Sequence, residues 1–214
     1  WDPEAAMFAA IGEPFGYEIL DRSRWTPRAM VADRWRDRNV FLAGDAAHLW
    51  VPMGGFGMNA GIADATALSW RLAAALEGWA GDALLDSYQT ERAPIGDAIA
   101  TQAVTWAIAA GVHLADDPER IAFLEGDGPD AAEARSELDA LITRDTLSEF
   151  ECPGFQLGYV YTDSPIICPD DLTPPASTEV VTYTPTTWPG ARLPHVWLDP
   201  TTSVYDRLGT GFTL

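Results

Sequence analysis

The sequence predicts an α/β fold, and three observations carry that prediction. A short apolar run, Val40-Phe-Leu-Ala43, ends in the polar pair Gly44-Asp45. A glycine-rich stretch follows, with Gly54, Gly55, Gly57 and Gly61 inside eight positions. Two long stretches with helical periodicity come next. A continuous apolar run bounded by a polar turn is the pattern of a strand covered on both faces, as in a parallel sheet. Strand, turn, glycine loop and helix, in that order, form a unit that commonly binds a ligand at the carboxyl end of its strand.

Each element has its own warrant. Residues 4–11 are rich in alanine and follow Asp2-Pro3, a start suited to a helix, and Gly12 and Pro14 end it. Residues 16–36 carry Tyr17, Ile19, Leu20, Trp25, Met30 and Val31 among charges, and read as two short strands about a turn near Thr26-Pro27. From Gly61 a helix is expected, with Ile62, Ala65, Leu68, Leu72, Leu76 and Trp79 on one apolar face and Gly78 and Gly81 at its end. A second helix should run from about Ala83 to Ala110, interrupted or kinked at Pro94. Residues 114–151 are acidic and include a helix over 130–143. Residues 152–190, rich in Pro and Thr, read as an extended connection with short strands. Beyond Arg192 a strand at His195–Leu198, a helical turn over 203–208 and a second strand from Gly211 are expected.

Charge narrows the range of partners. The 214 residues carry 13 basic side chains, all Arg, against 32 acidic ones, for a net charge of −19. Such a surface disfavours nucleic acid and anionic membranes. No run is long and apolar enough to predict a membrane span, and no signal peptide is evident. Cys152 and Cys168 have no metal-ligand spacing and read as free thiols, in keeping with a cytoplasmic protein. No metal site is expected. His113 and His195 read as structural, and Asp116-Asp117 and Asp170-Asp171 as solvated turns.

The chemistry concentrates between Gly44 and Asn59. Gly44 lets a ligand approach the backbone. Asp45 offers an acceptor-only carboxylate suited to hydroxyl groups, although Asp is also a common turn or helix cap. The glycines free successive N–H groups to converge on one point, and the helix behind them adds its positive end. An electron-rich heterocycle or an anion fits such a loop. A phosphate is the alternative ligand, but the Lys-Ser/Thr ending of a P-loop is absent.

The whole string is more specific than its parts. Gly44-Asp45-Ala46-Ala47-His48, Pro52, Gly54-Gly55-Phe56-Gly57-Met58-Asn59, Gly61-Ile62 and Asp64-Ala65 closely resemble the second flavin-binding motif of the class A FAD-dependent aromatic hydroxylases, which share the para-hydroxybenzoate hydroxylase fold. Leu84-Leu-Asp-Ser-Tyr88 and Glu91-Arg92 resemble the next helix of that family. Gly154–Pro165 and Pro189–Leu198 resemble its polyketide and phenol hydroxylase branch.

The resemblance implies a partial Rossmann-like FAD-binding domain with part of a substrate-domain sheet and the start of a thioredoxin-like domain. On that basis residues 1–36 would end the substrate-binding domain, and 37–112 would form the FAD-binding segment and its following helices. Residues 113–186 would be an acidic helical and extended connection, and 187–214 would open the thioredoxin-like domain.

The activity implied is an FAD- and NAD(P)H-dependent monooxygenase hydroxylating a phenolic or polyketide aromatic with O2, by way of a flavin C4a-hydroperoxide. Gly44, Asp45, Pro52, Gly55, Gly57, Met58 and Asn59 would bind cofactor. Asp45 would hold the ribityl chain, and the Met58 and Asn59 amides would face the flavin N1 and O2 edge. The Pro52 carbonyl would sit beside the reacting centre, with no side chain acting as a nucleophile. Trp50, Val51, Met53 and Gly54 would line the substrate site. His48 would be structural, and Asp64 and Arg71 helix-surface or packing residues.

The resemblance departs at Val51, where many relatives carry Pro, and at Ala93, where many carry Arg. The family's opening G-x-G-x-x-G and middle Asp-Gly motifs are not in this sequence, so the partner expected is a further, N-terminal part of the same protein, and a homodimer is allowed. An epoxidase or drug-inactivating monooxygenase on the same scaffold is one alternative. A non-catalytic fragment or subunit carrying half a flavin site is another.

Overall fold

The computed structural model describes residues 3–113, 118–168, 175 and 179–213. Asp116, Asp117, Asp170 and Asp171, read above as turns, lie outside them. Helix α1 spans Pro3–Ile11 and buries none of its residues. The chain then runs without regular structure to Arg28, so the two strands expected between 16 and 36 reduce to a pair of residues at the end. Every residue from Ile11 to Met30 is exposed. A strand forms only where a partner offers hydrogen bonds, and no strand among the described residues forms a ladder with 16–25.

Strand β1 (Met30–Val31) pairs antiparallel with β4 (His48–Leu49), placing Met30 opposite Leu49 and Val31 opposite His48. Strand β2 (Arg36–Asp37) pairs antiparallel with β3 (Val40–Phe41) through a tight turn, in which Arg38 has a left-handed φ of 54°. The Val40–Ala43 run is therefore neither in a parallel ladder nor covered on both faces, and Val40 is exposed. Its ladder partner lies only a few residues upstream, which enforces a hairpin.

Helix α2 (Phe56–Leu76) starts five residues earlier than the glycines suggested. Gly55 caps it in the left-handed region, at φ 67°, and a glycine pays little for that conformation. Its buried face is Ala60, Asp64, Arg71 and Ala74. The expected apolar stripe is only partly inside, for Ile62, Leu76 and Trp79 are exposed. Small and charged residues were selected instead, because α2 packs on α3 (Asp82–His113), which supplies their partners. Helix α3 passes through Pro94 without a break, with Pro94 on its exposed side.

Trp35, Ala47 and Tyr88 form the core beneath β1 and β4, joined by Phe41, Leu42 and Leu68. The Tyr88 hydroxyl donates to the Leu42 carbonyl at 2.9 Å, and the Trp35 amide donates to Gln89 Oε1 at 2.8 Å. These bonds fasten the strand region to α3.

Helix α4 (Pro118–Leu124), absent from the sequence reading, packs on α5 (Pro129–Phe150), which runs seven residues past its expected end. Helix α6 (Pro153–Leu157) interrupts the expected extended stretch. Strand β5 (Trp197–Asp199) pairs with β6 (Thr202–Ser203), and a 3-10 turn covers Val204–Arg207. Residues 211–213 form no strand; the nearer residues 202–203 take the place beside β5.

Candidate functional site

The Gly44–Asn59 string folds into a strap across the N-terminus of α2. Gly44–Ala46 and Met53–Gly55 are single 3-10 turns, with β4 between them. Gly44, Gly54 and Gly55 all have left-handed φ, at 57°, 74° and 67°. At Gly54 a β-carbon would stand 2.6 Å from the Trp106 ring and 2.8 Å from Phe56, so only glycine fits without displacing a packed ring. Gly44 lies against Gly61, where an added β-carbon would come within 3.7 Å of the Gly61 Cα. These contacts bring the turn after β3 down onto the first turns of α2.

A cavity of about 380 Å³ opens in front of this strap. Asp45, Trp50, Pro52, Gly55, Gly57 and Met58 line it. Asp45 is exposed, with its carboxylate available. Gly57 and Met58 belong to the first turn of α2, whose amides have no acceptor inside the helix and carry its positive end.

The other expected residues lie elsewhere. Val51 and Met53 are half-buried and do not line this cavity. Gly54 and Asn59 border a second cavity of about 390 Å³ behind the strap, among Phe56, Arg92, Phe155 and Tyr159. The Asn59 side chain donates to the Gly55 carbonyl at 3.0 Å. Gly44 turns its amide inward, to Asp64.

Trp25, Thr26, Arg28, His48 and Leu49 complete the front wall. Arg28, a cation in an acidic protein, has no sequence signal marking it, because the segment that carries it has no regular structure. His48 could be found from its place in the motif. Its ring stacks on Trp50 with centroids 4.4 Å apart and planes at 10°.

Beneath the strap lies a buried ionic network. Asp64, fully buried, accepts from His48 Nε2 at 2.6 Å, from Arg92 Nε at 2.8 Å and from the Gly44 amide at 3.1 Å. Arg92 reaches on to the Tyr161 hydroxyl at 3.2 Å. Arg71 pairs with Glu91 and donates to Ser87 Oγ at 2.9 Å, while Ser164 Oγ donates to Glu91 at 2.6 Å. Of the two readings of Asp64 and Arg71, helix surface or packing, the structure gives the second: both are inside, because α3 and residues 161–164 satisfy their charges.

Burial alone would push the Asp64 carboxyl up. The hydrogen bonds from His48 and Arg92, the Arg92 charge and the Gly44 amide outweigh it and hold the carboxyl below its ordinary range. Burial would likewise lower the Arg92 guanidinium, but Tyr161 and Asp64 leave it raised. Asp64 thus fixes both edges of the strap, at Gly44 beside Asp45 and at His48 behind Trp50.

The comparisons place this α/β fold beside FAD-binding proteins. Residues 9–103 match the FAD binding domain family. Over 95% of its length the chain is 37% identical to the FAD-dependent monooxygenase apdD of Emericella nidulans, and covers 34% of that protein. Over 96% of its length it is 38% identical to the 4-methyl-5-nitrocatechol 5-monooxygenase of a Burkholderia species, covering 34% of it. The crystal structure of the flavin-dependent monooxygenase PieE, in complex with FAD and substrate, superposes on 94% of the chain with a TM-score of 0.78. The identity there is 34%, and the chain covers 38% of PieE. The chain is thus a mixed α/β relative of the FAD-dependent monooxygenases, and spans a little over a third of the length of the proteins it matches.

Proposed function

We propose that the protein carrying this chain is an FAD- and NAD(P)H-dependent monooxygenase that hydroxylates a phenolic or polyketide aromatic. The observation that carries the reading is the gathering of Asp45, Trp50, Pro52, Gly55, Gly57 and Met58 around one cavity at the start of α2. The residues present fit a flavin. Asp45 offers acceptors to ribityl hydroxyls. The backbone is bare at Gly55 and Gly57, so a flat ring can lie close to it. The first amides of α2 favour negative charge at the ring edge. Trp50, backed by His48, gives the cavity an aromatic wall suited to an aromatic substrate. The Pro52 carbonyl would border the reacting centre.

When bound, FAD would supply the two-electron and O2 chemistry, with NAD(P)H as the donor. The residues of this chain would seat the flavin, orient it and stabilise the charge that builds on reduction. No helix among the described residues is long and apolar enough to cross a membrane, and a cytoplasmic location fits this reading. The test is NAD(P)H oxidation by the FAD-loaded protein across a panel of phenols under 18O2. Phenol-stimulated oxidation with one 18O atom in the product supports the reading. NAD(P)H oxidation that no aromatic stimulates, with no labelled product, overturns it.

A further inference from the structure

The strap is held from behind as well as from below. The Gly54 amide donates to Glu149 Oε1 at 3.1 Å, across 95 residues of sequence. Gly54 stands between Pro52 and Gly55, which both line the front cavity. Its left-handed backbone leaves no room for a β-carbon above Trp106. Trp106 in turn donates from Nε1 to Ser148 Oγ at 2.9 Å, next door to Glu149. The end of α5 therefore grips the glycine turn directly through Glu149 and indirectly through Trp106.

The position of Glu149 is informative on electrostatic grounds. It lies one residue before the end of α5, where a carboxylate faces the negative end of the helix and loses stability. Alanine would be the better helix residue there. What offsets the loss is the hydrogen bond to Gly54, which does nothing for α5 and fixes the strap.

We propose that Glu149 is a positioning residue for the cofactor site: it turns the Gly54 amide rearward and so sets the direction in which Pro52 and Gly55 face the cavity. The consequence for FAD rests on the flavin reading above; the grip on the strap does not. The end of α5 thereby supports the strap from behind.

The test compares Glu149→Ala with Glu149→Gln, whose amide oxygen can still accept from Gly54. Amide exchange at Gly54 and Gly55, read by NMR on glycine-labelled protein, needs no cofactor. In Glu149→Ala it should speed up by about tenfold, the size expected for losing one hydrogen bond to a charged acceptor. Glu149→Gln should stay within about threefold of the parent, since a neutral acceptor keeps about half of the bond. Thermal stability of the alanine variant should fall only slightly, because relief of the helix end offsets part of the lost bond. FAD affinity should fall in Glu149→Ala and recover in Glu149→Gln. Unchanged exchange in Glu149→Ala, or equal acceleration in both variants, overturns the proposal. Exchange that follows the prediction in a protein that takes up no FAD upholds the grip and counts against the flavin reading alone.

Discussion

The α2–α3 pair, through the start of α2, and the segment 12–29, through Trp25, Thr26 and Arg28, meet at the same cavity and are built on opposite terms. The helix pair keeps charges inside, with Asp64, Arg71, Glu91 and Arg92 all buried. The segment keeps apolar groups outside, with Leu20 and Trp25 86% and 65% exposed. Polarity does not decide which region is ordered into the core; partners do. Each buried charge of the helix pair has a counter-charge or a hydrogen bond within the same few turns. The segment would need a second strand, and none of the described residues offers one. A buried charge is tolerable while it is paired, and becomes costly once its partner is gone.

The comparison is most exposed to Asp64→Ala. That change strands Arg92 and His48 in the core, and should cost about 3–5 kcal/mol in urea unfolding, the range for breaking a buried pair. A cost below about 1 kcal/mol would place the network among weakly contributing surface-like pairs and break the contrast. Gly54→Ala comes next. Its β-carbon meets two packed rings at a left-handed φ, so a loss of about 1–3 kcal/mol is expected, as for overpacking elsewhere. Unfolding that matches the parent would mean the strap is looser than its contacts imply.

Acid probes the same carboxyl without mutation. The Asp64 carboxyl is held low when folded, so its contribution is complete above the unfolded value, about pH 4. Stability should fall as pH drops from there through the folded value, and Asp64→Ala should flatten that limb. An acid limb that is identical in the variant removes Asp64 as its source. At the small end, Leu20→Ser should shift stability by less than about 0.5 kcal/mol, as for an exposed site. A larger loss would show that the segment is covered by something. The thiols sharpen the contrast further. Burial raises the Cys152 thiol, while Cys168 is exposed. Alkylation at neutral pH should therefore modify Cys168 first, with Cys152 reacting only on unfolding; equal rates would contradict the burial of Cys152.

The longer helices and the strap were legible in the sequence because their determinants are local. Gly54, Gly55 and Gly57 announced the strap, and the acidic stretch over 130–143 announced most of α5. Strand pairing was not legible, because Val40–Phe41 reads the same whether its ladder partner is a hairpin neighbour or a distant parallel strand. The face of α2 was misjudged for a related reason. Periodicity counts apolar residues, whereas the buried positions at Asp64 and Arg71 are set by charges contributed from α3. Arg28 and Glu149 were invisible, since each reaches the site from a remote segment with no motif of its own.

The claim that this strap seats a flavin is tested most directly by titrating FAD into the protein and following the quenching of flavin fluorescence, for the parent and for Asp45→Ala. Asp45 is exposed and outside the buried network, so the variant should unfold like the parent. Saturable binding by the parent is expected, with affinity lower by about tenfold or more in Asp45→Ala, as for losing hydrogen bonds to a charged acceptor. Equal affinity in the two proteins, or no saturable binding by the parent, would contradict that claim.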